Sequence, residues 1–263
     1  MSARQGDLSY LPRMNCFSCQ RDQRFSYFIY VPKNWNYPER ERPERYNLAV
    51  LVHGSERSAE MYRNAARPFA EMTDTVILAP LFPAGITDFY EMDNFCHLRH
   101  LGVSYDLILL HMIEEISERF PVDSGNILLH GFSAGSQFAH RFFYLHPQSV
   151  RSLSIGACAR VTLMDENLPW PSGIKDMHDI FGVKPDYESY KKTMVQFVIG
   201  SEDNFKLQRE TTVTRLEQLS RLRDSYNIMG LETVVSVVAG VGHKGLLLIN
   251  DVFEFFVKNL ERR

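Results

Sequence analysis

Three reactive side chains stand far apart in this chain, each within three residues of a glycine that marks a turn: a hydroxyl, a carboxylate and an imidazole. The hydroxyl is Ser133, within His130-Gly131-Phe132-Ser133-Ala134-Gly135. A G-x-S-x-G pattern between a strand and a helix lifts the serine clear of the sheet and exposes its Oγ. The glycines serve a tight turn at which backbones pass closely. Before the pattern, Asn126-Ile127-Leu128-Leu129 is a short apolar run suited to a buried strand. After it, Phe138, Phe142 and Phe143 recur at helical spacing and define a buried face. The first amides of that helix point at the serine, so an anion formed there is stabilised.

A serine hydroxyl is a weak nucleophile at neutral pH and needs a base, held in the correct tautomer by a carboxylate. Of nine histidines, His53, His130 and His243 fall at turns after predicted strands. His130 lies along the elbow strand, so its ring should point away from Ser133. His243, in the glycine-flanked loop Gly240-Val241-Gly242-His243-Lys244-Gly245, is the expected base. The expected acid is Asp203, in Gly200-Ser201-Glu202-Asp203, because the chain can turn before the carboxylate points inward. Glu202, Asp179 and Asp186 remain alternatives. The tetrahedral intermediate of acyl transfer carries an oxyanion, and losing one preorganised donor to it costs ~3–4 kcal/mol. The expected donors are the backbone N–H of Ala134 and that of Ser55, in the turn His53-Gly54-Ser55.

These groups need a scaffold. Residues 25–31, 48–52, 75–79, 126–129, 150–155, 194–199 and 233–238 are apolar or β-branched runs and read as strands. Helical periodicity follows over about 58–71 (disturbed at Pro68), 105–120, 136–144, 208–226 and 246–260. Residues 1–24 read as an irregular lead-in, and residues 80–102 as a loop. The alternation predicts an α/β class: a mostly parallel, twisted sheet with helices on both faces. Reactive groups in such sheets collect at the C-terminal strand ends, where His53, Ser133, Asp203 and His243 all fall.

Composition narrows the function. The chain has 263 residues, 44% hydrophobic and 23% charged, with a net charge of −3. It shows no basic stripe of the kind that binds nucleic acid and no apolar run of the ~20 residues that span a membrane. Residues 1–7 lack the apolar core of a signal peptide, so a cytoplasmic location is expected. Cys16 and Cys19 form a C-x-x-C without a βαβ unit around it or a second pair to complete a zinc site. Cys96, His97 and His100 cluster in one loop. Both groups are read as structural, with no metal and no cofactor expected.

The order His-Gly, G-x-S-x-G, Asp, His resembles that of the α/β-hydrolase superfamily, from about Phe25 to the chain's end. Tyr30-Val31-Pro32, Val50-Leu51-Val52-His53-Gly54 and the Ser133 motif resemble its polyhydroxybutyrate-depolymerase and feruloyl-esterase-like branch. The resemblance implies hydrolysis of a carboxylic ester, lactone or thioester through an acyl-serine. Signs of secretion and disulfides, found in many members of that branch, do not appear here, which favours a small, moderately apolar molecule over a polymer. The same triad could instead serve C–C cleavage, acyl transfer or cyclisation, or the shell could bind without turnover. One domain is expected over 1–263. Residues 157–192 fall where this fold often inserts a cap, and Leu163, Met164, Trp170, Met177, Phe181, Tyr187 and Tyr190 could line an apolar pocket there. The expected substrate-binding residues are His53, Gly54, Phe132, Trp170, Met177 and Phe181.

Overall fold

The apolar runs become strands because only a doubly covered sheet can bury them on both faces. The structure, a computed structural model, describes residues 16–203, 206–208 and 211–262; the lead-in up to residue 15 lies outside them. In chain order the strands are β1 (Phe17–Ser18), β2 (Ser26–Tyr30), β3 (Asn47–Val52), β4 (Thr75–Leu81), β5 (Arg99–His100), β6 (Val103–Ser104), β7 (Ile127–Phe132), β8 (Val150–Gly156), β9 (Met194–Gly200), β10 (Lys206–Gln208), β11 (Thr211–Thr214) and β12 (Thr233–Val238). The main sheet runs β1-β2-β4-β3-β7-β8-β9-β12. β1 and β2 are antiparallel to their neighbours, and from β4 to β12 every pairing is parallel. Every residue of β7 and β9 is buried, whereas β12, at the edge, holds only half-buried and exposed residues. All the parallel strands therefore end at one rim, from which the loops carrying His53, Ser133, Asp203 and His243 emerge.

The helices are α1 (Ala59–Ala65), α2 (Arg67–Thr73), α3 (Tyr105–Ser117), α4 (Ala134–Leu145), α5 (Met177–Phe181), α6 (Tyr187–Tyr190), α7 (Arg215–Ile228) and α8 (Gly245–Leu260). Two of them depart from the sequence reading. The stretch expected as one helix over 58–71 breaks at Ala66, and Pro68 falls in the first turn of α2, where its missing N–H costs nothing. The helix expected from Gln208 starts only at Arg215. Before it the chain pairs β10 with β11 as an antiparallel ribbon, in keeping with the β-branched run Thr211-Thr212-Val213-Thr214. Thr214 then caps α7: its side chain accepts from the Glu217 N–H, and the Glu217 carboxylate accepts from the Thr214 N–H. Residues 80–102, read as a loop, hold a 3₁₀ turn at Asn94–His97 and contribute β5, which pairs with β6. Residues 157–192 contain α5 and α6 and fold Met164, Ile174, Met177, Phe181 and Tyr190 into the core.

Candidate active site

The turn between β7 and α4 is as tight as its glycines require. Ser133 sits at φ 54°, ψ −114°, a conformation that costs of order 1–3 kcal/mol for a residue with a side chain. Its N–H donates to the Gly156 carbonyl at 2.8 Å, which pins the elbow to β8. A Cβ on Gly131 would stand 2.1 Å from the Gly135 carbonyl oxygen, and one on Gly135 would stand 2.4 Å from the His53 carbonyl oxygen. Both neighbours are backbone, so neither can yield. The elbow and the His53-Gly54-Ser55 turn are thereby held together.

Three side chains from three loops meet at the rim. His243 Nε2 lies 3.0 Å from Ser133 Oγ, and His243 Nδ1 lies 2.6 Å from Asp203 Oδ2. The acid and base loops are fastened to each other: the Glu202 N–H donates to the Val241 carbonyl at 2.9 Å, and the Gly240 N–H donates to Ser201 Oγ at 2.9 Å. The Asp203 N–H donates to the Gly200 carbonyl at 3.1 Å, closing the turn that aims the carboxylate inward. The Phe132 ring packs against the imidazole, tilted by 35° at a centroid distance of 4.7 Å, and limits its swing. The Glu202 side chain is exposed, that of Asp179 is 86% exposed, and Asp186 accepts from the Ser189 N–H at the start of α6. Of the four candidate acids, only Asp203 bonds His243.

A group that sequence reasoning missed completes this chain. Arg215, the first residue of α7, donates from its guanidinium to Asp203 Oδ1 at 2.8 Å. Both carboxylate oxygens are thus engaged, in a side chain only 1% exposed. Burial pushes the Asp203 carboxyl up. The hydrogen bond and charge of His243, with the charge and hydrogen bond of Arg215, more than offset this and hold it below the usual carboxylate range. The ionised carboxylate can only accept, so it selects the imidazole tautomer with the proton on Nδ1 and a lone pair on Nε2 facing Ser133.

Ser133 opens onto a cavity of about 810 Å³, shared by Ala134 and Ser55. Ala134 is the first residue of α4, where no helical carbonyl is available to its N–H. Ser55 is fixed by its hydroxyl, which donates to Asp93 Oδ2 at 2.8 Å. None of the six residues expected to bind substrate lines this cavity. His53 is fully buried: its Nε2 accepts from the Phe82 N–H at 3.0 Å, which leaves Nδ1 to donate to the Gly54 carbonyl at 2.6 Å. Burial pushes its pKa down to about 4, so it is a neutral tie that shapes the turn presenting Ser55. Gly54 abuts the elbow backbone, and Phe132 packs on the imidazole. Met177 and Phe181 are buried in the core, and Trp170 spends its ring on Phe181 at 4.8 Å. The apolar side chains of 157–192 turn inward because burying them removes more apolar surface from water than facing an open cavity would. Leu163 alone of the seven expected pocket residues reaches the cavity, joined there by Val161 and Leu168.

The cysteines are spread over separate surroundings. Cys16 is exposed, and the Cys19 thiol points at Glu115 Oε1 at 3.5 Å. Cys96 is buried and donates to the Ala134 carbonyl at 3.1 Å, while His100 pairs with Glu91 at 3.0 Å. Among the described residues no three His, Cys, Asp or Glu side chains converge as metal ligands, and no helix is long and apolar enough to cross a membrane.

No protein-family model matches the chain, and no curated protein sequence does. Solved structures do. LpqC, a poly(3-hydroxybutyrate) depolymerase from Bordetella parapertussis, superposes with a TM-score of 0.68 at 20% identity, covering 88% of this chain and 83% of its own. Poly(aspartic acid) hydrolase-1 from Sphingomonas sp. KT-1 gives 0.69 at 18% identity, covering 88% and 92%. An S-formylglutathione hydrolase from Agrobacterium tumefaciens gives 0.62 at 13% identity, covering 90% of each chain. The chain has the α/β-hydrolase fold.

Proposed function

We propose that the protein is a serine hydrolase that cleaves a carboxylic ester, lactone or thioester of a small molecule through an acyl-serine. One observation carries this reading: an unbroken hydrogen-bonded path, Ser133 to His243 to Asp203, that ends at an open cavity. His243 Nε2 takes the Ser133 proton as Oγ attacks the carbonyl carbon. The backbone N–H groups of Ala134 and Ser55 hold the resulting oxyanion. The imidazolium, steadied by Asp203, gives the proton to the leaving alcohol or thiol as the C–O or C–S bond breaks. Water then repeats the sequence on the acyl-serine, releasing the acid and restoring the hydroxyl. The protein works as one domain, with residues 157–192 forming a cap over one wall of the cavity. The depolymerase and hydrolase names of the structural neighbours agree with this reading.

The test is direct. A fluorophosphonate should label Ser133, and Ser133→Ala should abolish both labelling and release of p-nitrophenolate from p-nitrophenyl acetate while leaving the circular dichroism spectrum unchanged. Wild-type turnover in Ser133→Ala would end the proposal.

A further inference from the structure

The cavity is not the apolar pocket that the sequence led us to expect. Its lining includes four arginines, Arg141, Arg160, Arg215 and Arg221, and one carboxylate, Asp93. This stands out in a chain whose Lys and Arg number 29 against 32 Asp and Glu. Arg215 is already matched by Asp203. Asp93 accepts the Ser55 hydroxyl on Oδ2, and its Oδ1 lies 4.0 Å from Arg57. Among the described residues, Arg141, Arg160 and Arg221 have no carboxylate partner.

Arg141 decides the matter. It is 2% exposed, yet its guanidinium meets neutral groups: Thr162 Oγ1 at 2.8 Å, the Cys96 carbonyl at 2.6 Å, the Arg160 carbonyl at 3.5 Å and the Trp170 ring, whose centroid lies 5.8 Å away. A cation taken out of water without a counter-charge carries a large desolvation cost. A guanidinium does not escape that cost by losing its proton. The carbonyls fix its direction but cannot neutralise it. Ala134, Gln137 and Arg141 lie at i, i+3 and i+7 on one face of α4, and all three line the cavity. Helical side chains lean toward the N-terminus, so Arg141 is directed back toward the elbow. It reaches Cys96, whose thiol in turn touches the Ala134 carbonyl. The oxyanion at the scissile carbonyl falls to the Ala134 and Ser55 N–H groups, and Arg141 stands seven positions along α4 from the first of them, so an anion held there belongs to a part of the substrate away from the scissile group.

Resting on the serine-hydrolase reading, the geometry points to an ester or thioester whose distal end carries a carboxylate, received by Arg141, Arg160 and Arg221. The planar guanidinium fork matches a carboxylate, and three of them in one cavity also steer such a substrate inward.

Matched probe pairs test this in both orientations: p-nitrophenyl hydrogen glutarate against p-nitrophenyl valerate, and 4-acetoxybenzoate against 4-acetoxybenzamide. In at least one pair, kcat/KM for the anionic member should exceed that of its neutral partner tenfold or more at low salt. Arg160 and Arg221 are exposed, so the double variant Arg160→Gln/Arg221→Gln should fold. It should cut the anionic-to-neutral ratio at least fivefold, chiefly through KM, and 0.5 M NaCl should do likewise in the wild type. A ratio near one in both pairs, unmoved by the double variant, overturns the inference while leaving the hydrolase reading intact. If no ester is turned over and Ser133 resists the fluorophosphonate, the hydrolase reading fails instead. The cavity is then judged by calorimetry with glutarate: saturable binding lost in the double variant supports it, and no binding overturns it.

Discussion

Replacing Asp203 with Asn tests how the catalytic tautomer is set, because Arg215 dictates which way the new amide faces. In the native site Arg215 donates to Oδ1 and His243 bonds to Oδ2. A guanidinium can only donate, so the amide oxygen of Asn must turn to Arg215 and its NH2 must turn to His243. The amide then donates to Nδ1, which forces the imidazole proton onto Nε2. That nitrogen presents an N–H to Ser133 Oγ, 3.0 Å away, where a lone pair is needed. A wrong-tautomer change of this kind lowers kcat by about 10⁴ in the serine-protease triad. At 1.36 kcal/mol per decade this is about 5 kcal/mol of lost transition-state stabilisation.

Asp203→Asn/Arg215→Met removes the donor that fixes the amide, so the amide can flip and offer its oxygen to Nδ1–H. The double variant should be at least tenfold faster than Asp203→Asn, although it has lost one more group of the site. The assays are p-nitrophenyl ester hydrolysis at pH 8 and the rate of fluorophosphonate labelling, with thermal unfolding to confirm the fold. Asp203→Asn within tenfold of wild type would refute Asp203 as the orienting acid. A double variant no faster than the single one would refute the role given to Arg215.

Two further perturbations read out the scaffold. His53, His130 and His140 are buried and neutral, their pKa values pushed down by burial to about 4, 3 and 3. In the unfolded chain each binds a proton near pH 6.5 that the folded protein refuses. Their contribution to stability is thus present above about pH 6.5 and lost as pH falls, by about 1.4 kcal/mol per pH unit each. The urea midpoint should drop steeply between pH 6 and pH 5, and an unchanged midpoint would mean that these imidazoles are charged in the fold. Gly131→Ala should cost about 3 kcal/mol or more, because the new methyl meets the fixed Gly135 carbonyl. It should also cut turnover at least about 100-fold by displacing the elbow. The control Gly125→Ala, with open space around it, should change neither, and wild-type stability in Gly131→Ala would refute the close approach.

What could be read ahead of the fold, and what could not, follows from the range of the forces involved. The elbow announces itself because strand, glycines, serine and helix are neighbours in sequence, and each residue type answers a local demand. The strands announce themselves because parallel sheets need unbroken apolar runs, as in β7 and β9. Arg215 gives no such sign. It stands twelve residues beyond Asp203 and meets it only because the Thr214–Glu217 cap starts α7 at that residue. The expected helix from Gln208 hid that cap, and the competing strand tendency of residues 211–214 shows only once β10 is there to pair with. The aromatic residues of 157–192 misled for a related reason. Apolar character says that a side chain seeks cover, not which cover it finds, and Met177 and Phe181 find it in the core. The cavity was then left to the groups that the core could not take, the arginines above all. A folded chain gives many of its apolar residues to its own interior; what remains around Ser133 is a mixed lining, with Val161, Leu163 and Leu168 beside the arginines, and that remainder sets which molecules the serine meets.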